Sequence, residues 1–310
     1  MAHWTTADIP DQSGRVAVVT GANSGLGYQT ALALARAGAH IVLACRDPQR
    51  GDAALDQLRT AAPDASAERG SLDLADLDSV RRFADSVESL DLLINNAGVM
   101  ALPNRRTTAQ GFEMQVGTNH LGHFALTGLL LPRLVNRPGA RVVTVSSGLH
   151  RYGRLTDLDD LQSERRYRPW RAYALSKLAN ILFFTELDRR LRAANQPVRS
   201  LGAHPGYAAT NLQSTGPGAD GGTLLTRFGR LGDRVFAQSA AMGALPTLRA
   251  ATEPDAQSGE YHGPSGFLEQ RGYPNRVAYS SAGRDLAAAE RLWTESERLT
   301  GVTVDTSTRG

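Results

Sequence analysis

Arg15-Val16-Ala17-Val18-Val19-Thr20-Gly21-Ala22-Asn23-Ser24-Gly25-Leu26-Gly27 is the run that decides the fold of this chain. Its first five residues form a short valine-rich stretch, which predicts a strand buried on both faces. Glycines then stand at 21, 25 and 27, and a small-residue helix is expected from Gly25 to Ala37, stopping at Gly38. A glycine turn between strand and helix lets backbone N–H groups approach an anion closely. The helix N-terminus then turns its partial positive charge toward that anion, and the expected ligand is a pyrophosphate. A glycine-rich stretch alone could be a plain tight turn; its position between strand and helix is what gives it weight.

The same alternation runs outward from this point. Strands are expected at His40 to Ala44, Ala65 to Gly70, Asp91 to Asn95, Arg141 to Val145 and Val198 to Ala203. Helices are expected at Pro48 to Ala61, Leu77 to Leu90, Thr118 to Val135, Ala172 to Ala194 and Arg284 to Arg298. Pro48 suits a first helical turn. Such alternation predicts an α/β fold: a doubly wound parallel sheet of the Rossmann type with helices on both faces. The 310 residues read as one such domain, with neither repeat nor low-complexity linker. Gly-rich Ser214 to Gly222 interrupts the pattern, and Leu224, Leu225, Phe228 and Leu231 follow at helical spacing. Residues 204–240 are therefore expected to be a substrate-loop insertion over the carboxyl edge of the sheet, with an ordinary core-packed amphipathic helix as the equal alternative. Residues 303–310 are expected to be a loose tail.

Composition narrows the class. Hydrophobic residues make up 41% and charged residues 21%, enough for a sizeable core in a water-soluble chain. The formal net charge is only +3, and no nucleic-acid motif accompanies it. Cys45 is the only cysteine, so no intramolecular disulfide and no cysteine metal cage can form. No stretch reaches the roughly 18 apolar residues that span a bilayer. Met1 to Gly14 lacks the basic-then-apolar design of a signal peptide. The expectation is a cytoplasmic protein with no integral membrane segment.

Of the 34 basic residues, 33 are arginine and one, Lys177, is lysine. It lies four residues after Tyr173 in Tyr173-Ala174-Leu175-Ser176-Lys177. A four-residue step puts both side chains on one helix face. A compact ammonium can do there what a planar guanidinium cannot. The expected role of Tyr173 is a proton donor whose pKa, ordinarily about 10, is lowered by that neighbour.

The glycine spacing departs from G-x-G-x-x-G and resembles the T-G-x-x-x-G-x-G pattern of the short-chain dehydrogenases/reductases. The resemblance continues through Asp73-Leu74, Asn95-Asn96-Ala97-Gly98, Asn119, Ser146-Ser147, the Tyr173–Lys177 pair and Pro205-Gly206, covering roughly residues 14 to 265. Ala44-Cys45-Arg46-Asp47, Gly117 to Phe124 and Ser176 to Asn180 are similar to the retinol-dehydrogenase-like branch, though the membrane-anchoring segment of that branch is not expected in this chain. The resemblance implies carbonyl–alcohol interconversion with a nicotinamide dinucleotide. Tyr173 would be the acid/base, Ser147 rather than Ser146 the donor to the substrate oxygen, Lys177 a ribose ligand, and Asn119 the holder of a proton-relaying water. Gly21, Asn23, Ser24, Gly25, Leu26 and Gly27 would cradle the phosphates. Asp73 and Leu74 would flank the adenine, with Asn95, Ala97 and Gly98 bordering the adenosine half. Pro205, Gly206 and Thr210 would lie beside the nicotinamide.

The end of the second strand decides between cofactors. An NAD site usually carries an acid there, whereas this chain has Cys45-Arg46. Arg46 offers a donor fork suited to a phosphate, so NADP(H) is expected over NAD(H). Ser147 and Tyr173 are 26 positions apart, and the intervening Leu149 to Trp170 carries Arg165, Arg166 and Arg168. It reads as a solvated basic loop, with a lid or an anion-facing patch as alternatives. His120, His123, His150 and His204 lie near the centre in sequence, without acids at metal-ligand spacing, so no metal is expected. The expected partner is a small apolar carbonyl or alcohol; a homo-oligomer is left open. The competing reading is a catalytically silent NADPH-binding regulatory protein.

Overall fold

The computed structural model describes residues 3–135, 137–207 and 238–307. Eight strands form one sheet in the order β3-β2-β1-β4-β5-β6-β7-β8. They are β1 Val16–Thr20, β2 His40–Cys45, β3 Ala67–Ser71, β4 Leu92–Asn95, β5 Arg141–Val145, β6 Arg199–Ala203, β7 Tyr261–Pro264 and β8 Pro274–Arg276. All neighbouring pairs are parallel except β7 with β8. The expected doubly wound α/β sheet is the fold observed. Its strand order reverses between β1 and β4, and ligands in such sheets sit outside the carboxyl ends of the strands at that point.

Period-two geometry builds two cores from one strand. On β1, Val18 joins a cluster with Phe124, Phe183 and Trp293, while Ala17 and Val19 join a second with Leu34, Leu58 and Leu248. The first face is covered by helices Leu77–Ser86, Gly122–Leu134, Pro169–Ala193 and Leu286–Thr300. The second is covered by Gly25–Arg36, Pro48–Ala61 and Ala240–Thr252. Burial on both sides explains why β1, β2, β4 and β5 read as continuous apolar runs. Asp47 caps the second helix by accepting the Arg50 N–H at 3.1 Å, with Pro48 in its first turn.

Three elements depart from the sequence expectation. Helix Ala240–Thr252 and strands β7 and β8 were not anticipated. The helix contains Gly243 and Pro246, and the two strands are only four and three residues long. The tail also differs. Val302 and Val304 are buried against Gly128, where an added Cβ would meet each valine side chain at 2.9 Å. The Val304 N–H donates to Glu297 Oε1 at 3.0 Å, so the chain is packed at least that far. Thr210, the Gly-rich stretch and the helical spacing after it lie outside the described residues. Among the described residues no helix is long and apolar enough to cross a membrane.

Candidate active site

The carboxyl ends of β1, β2, β4, β5 and β6 deliver Thr20, Cys45, Asn95, Ser146 and His204 to one edge of the sheet. The glycine turn begins there. Gly21 and Gly25 have φ of +67° and +57°, values that L side chains rarely adopt. Ser24 precedes the helix Gly25–Arg36 without a side-chain cap, leaving the opening N–H groups aimed past the strand ends. This uncapped, glycine-lined N-terminus fits a pyrophosphate. Cys45 lies beneath it, and burial pushes its thiol up to about 11. Arg46 stands exposed at the next position, while Asp47 is committed to its helix cap.

The loop after β4 is fastened to this turn by a residue the sequence reading did not single out. Asn96 donates its side-chain amide to Thr20 O at 2.7 Å, and Thr20 Oγ1 accepts the backbone N–H groups of Asn96 and Ala97, each at 2.9 Å. Asn95 instead turns inward and donates to Thr127 Oγ1 at 2.9 Å. Leu74 is buried against Gly122, and Asp73 accepts the Ala75 N–H at 2.9 Å. Gly206, with φ of +65°, is held against Gln270 of the β7–β8 hairpin, where a Cβ would meet the carbonyl oxygen at 2.4 Å.

The long helix Pro169–Ala193 carries Tyr173 and Lys177 on one face. Both are buried, and Lys177 Nζ lies 5.8 Å from the Tyr173 ring centroid. Lys177 donates to Val145 O at 3.2 Å, so β5 anchors its ammonium. A Cβ on Gly98 would sit 3.6 Å from the same nitrogen. The two serines diverge. Ser146 donates to Lys177 O at 2.8 Å, whereas the Ser147 hydroxyl accepts the Leu149 N–H at 3.2 Å and lies near enough to Tyr173 to draw its phenol's pKa down. Ser147 is held in turn by His150, whose Nδ1 lies 2.6 Å from Ser147 O.

Asn119 sits in a π-helical stretch, Gly117–Leu121, just ahead of helix Gly122–Leu134. Such bulges often mark functional positions. Its amide forms two bonds with Val99, accepting from N–H at 2.8 Å and donating to the carbonyl at 2.9 Å, and it also donates to Ser176 Oγ at 2.9 Å. Asn119 is thus a fully engaged side chain next to the Tyr173–Lys177 helix.

One expectation changes sign. Burial pushes the Tyr173 phenol up to about 12, against a smaller pull from Ser147, rather than down. The same burial lowers Lys177 to about 8. Sequence spacing counts the neighbouring charge but not the loss of water around both groups.

The segment between Ser147 and Tyr173 is stapled to the body. Tyr167 donates to Leu102 O at 2.7 Å and accepts from Gln115 Nε2 at 3.0 Å, and Asp157 pairs with Arg171. Arg165, Arg166 and Arg168 point outward and are exposed. An open cleft of about 470 Å³ lies beside this segment, lined by Leu149, Tyr152, Trp170 and Ala174 with Arg154, Arg168 and Arg171. Trp170 stands edge-on to Tyr173, with ring centroids 6.5 Å apart.

A glycine cradle at the switch point and a Ser147–Tyr173–Lys177 centre on β5 and one helix are now in view, and a family model described as short chain dehydrogenase matches residues 15–217. The chain belongs to the short-chain dehydrogenase family. Members interconvert alcohols and carbonyls with a nicotinamide dinucleotide, and this chain is an oxidoreductase of that kind. It is 41% identical to human retinol dehydrogenase 13 over 304 residues, covering 96% of this chain and 86% of the relative. Mouse polyprenol dehydrogenase is also 41% identical, over 303 residues, covering 94% and 86%. A crystal structure of an uncharacterized protein from Mycobacterium paratuberculosis superposes with a TM-score of 0.82 at 46% identity, covering 98% of this short-chain dehydrogenase and 100% of that chain.

Buried histidines give the molecule an acid limit. Burial holds His120 near 3 and both His123 and His150 near 4. An unfolded histidine titrates near 6.5, so between about 4 and 6.5 the unfolded chain binds more protons. Stability therefore rises with pH across that window and is lost as pH falls through it. Each histidine contributes about 1 kcal/mol per pH unit. Glu186 and Glu269 are held below the ordinary carboxylate range and add to the loss at the acid end, while Glu113, raised by burial, opposes it. The urea midpoint is expected to drop markedly between pH 6.5 and 5; a midpoint constant over that range would disprove neutral burial.

Proposed function

We propose that this short-chain dehydrogenase is NADP(H)-dependent and interconverts a carbonyl and an alcohol on an apolar small molecule, with Tyr173 as general acid/base. The observation that carries the reading is the pairing of buried Tyr173 and Lys177 on one helix face, Nζ 5.8 Å from the ring centroid, with the Ser147 side chain close enough to draw the phenol's pKa down. Tyr173 gives its proton to the carbonyl oxygen as negative charge develops there, and a phenol held up to about 12 stays protonated at neutral pH. Ser147 donates to the same oxygen. Lys177 holds the ribose hydroxyls and opposes the charge left on Tyr173. Asn119 braces the Val99 loop and Ser176 behind them. When bound, the dinucleotide supplies hydride at its nicotinamide C4.

Gly21, Asn23, Ser24, Gly25, Leu26 and Gly27 receive the pyrophosphate, and Arg46 receives the 2′-phosphate. Asp73 and Leu74 flank the adenine, and the backbone of Asn95, Ala97 and Gly98 borders the adenosine half. Pro205 and Gly206 border the nicotinamide. The Leu149–Tyr152–Trp170 wall supports an apolar substrate, as do relatives named for retinol and polyprenol. A cytoplasmic location is part of the proposal, in keeping with a single buried cysteine.

A panel of apolar aldehydes and ketones, followed by NADPH absorbance, tests the reading. Tight NADPH binding with no turnover across the panel would identify the silent regulator instead. Arg46→Asp isolates the cofactor assignment. Losing a hydrogen bond to a charged group should cut kcat/KM with NADPH by about 10- to 100-fold while NADH is spared. Equal efficiency of the native protein with both cofactors would remove Arg46 from the site.

A further inference from the structure

His123 is buried at the start of helix Gly122–Leu134, two residues past the end of the π-helical stretch. Its Nδ1 lies 3.0 Å from Asn119 O. A carbonyl only accepts, so Nδ1 carries the hydrogen. Its Nε2 lies 2.9 Å from Thr20 Oγ1. That hydroxyl already accepts the N–H groups of Asn96 and Ala97, filling both its lone pairs. Its remaining capacity is one hydrogen to give, and a bare Nε2 is the nearer of its two acceptors; Ile94 O lies at 3.2 Å. A neutral ring satisfies every partner at once. A second ring hydrogen would compete with one backbone N–H for Thr20.

We propose that His123 is a positioning residue that ties the dinucleotide cradle to the catalytic end of the site. One imidazole joins the residue preceding Gly21, the Asn96–Ala97 loop, and the main chain of Asn119, whose side chain clamps Val99 and Ser176. By taking the Thr20 hydrogen it leaves both lone pairs of that oxygen for the loop. By holding the Asn119 carbonyl it fixes the π-helical turn beside Lys177. The inference rests on the proposed roles of the cradle and of Asn119.

Two substitutions separate the two bonds. In His123→Asn an amide nitrogen replaces Nδ1 and can still reach Asn119 O, but nothing reaches Thr20. In His123→Gln the amide oxygen can accept from Thr20, and the Asn119 bond is lost. His123→Asn should raise the NADPH Kd about 10-fold, the worth of one buried hydrogen bond. His123→Gln should keep the Kd within about twofold and lower kcat about 10-fold. A histidine that merely fills the core would lower thermal stability in both variants and leave Kd and kcat within about twofold; that pattern overturns the proposal. A measurement on the native protein decides the matter even where a variant does not fold. Nitrogen-15 histidine spectra at pH 7 should show His123 as a neutral Nδ1–H tautomer perturbed by NADPH. An Nε2–H tautomer, or a ring indifferent to NADPH, refutes the coupling. If the native enzyme turns over no carbonyl, the functional reading fails, while Kd and tautomer still judge the coupling.

Discussion

Tyr173→Phe is expected to lower kcat for carbonyl reduction by about 10²–10⁴-fold, the usual range for removing a positioned general acid. The NADPH Kd should stay within about twofold, because the cradle glycines, Arg46 and Lys177 are untouched. The fold should survive as well. Tyr173 is 6% exposed, and phenylalanine keeps the ring that packs edge-on against Trp170. What is lost is the phenolic hydroxyl and its interaction with the Ser147 side chain, worth about 1 kcal/mol. The combination matters more than the loss of rate. A variant that binds NADPH, melts near the native temperature and does not reduce substrate isolates the proton transfer. Direction adds a second check. Burial that keeps the phenol protonated favours donation, so native reduction should be flat through neutral pH, whereas oxidation, which needs a base, should rise as pH increases. Full activity in Tyr173→Phe would remove the tyrosine from the mechanism.

The sequence disclosed the parts of this fold that depend on local physics. Parallel strands buried on both faces wrote β1, β2, β4 and β5 as apolar runs, and the Asp47–Pro48 pair announced a helix start. Helix Ala240–Thr252 stayed hidden behind its internal Gly243 and Pro246, and four-residue β7 gains its identity from pairing, with β6 at Tyr261 and His262 and with β8 from His262 to Pro264. The site divides the same way. Tyr173 and Lys177 were legible because helix geometry fixes their relation. Thr20 and Asn96 meet across 76 residues, and His123 reaches Thr20 across 103, distances that spacing does not encode. Weak signals existed: Thr20 stands directly before Gly21, and His123 is four residues after Asn119. The upward shift of Tyr173 was illegible for a related reason, since its cause is water excluded by the whole fold.

Gly27→Ala should affect both folding and cofactor. An added Cβ would lie 2.4 Å from Gly21 O, 2.9 Å from Gly21 C and 2.6 Å from Asn96 Nδ2. Two of these atoms are backbone, and the third is the amide that fastens the loop after β4 to Thr20 O. The turn has no room to yield: a Cβ on Gly21 would itself meet Ala97 at 3.1 Å, and φ there is already +67°. The helix Gly25–Arg36 must therefore shift, carrying its N-terminal N–H groups away from the phosphate position. Overpacking of this kind costs about 1–3 kcal/mol of stability. Affinity for NADPH should fall by about 100-fold or more, since anion binding at a helix end weakens within a turn's displacement. Gly14→Ala supplies the contrast. Gly14 has φ of +77° but no atom within 4 Å of its added Cβ, and it lies at the opposite end of β1. There the cost is backbone strain alone, about 1–2 kcal/mol, and NADPH affinity should be unchanged. Calorimetric melting with NADPH titration on both variants reads the two effects apart. If Gly27→Ala binds NADPH as Gly14→Ala does, the glycine turn is a packing device and the phosphate must be held elsewhere.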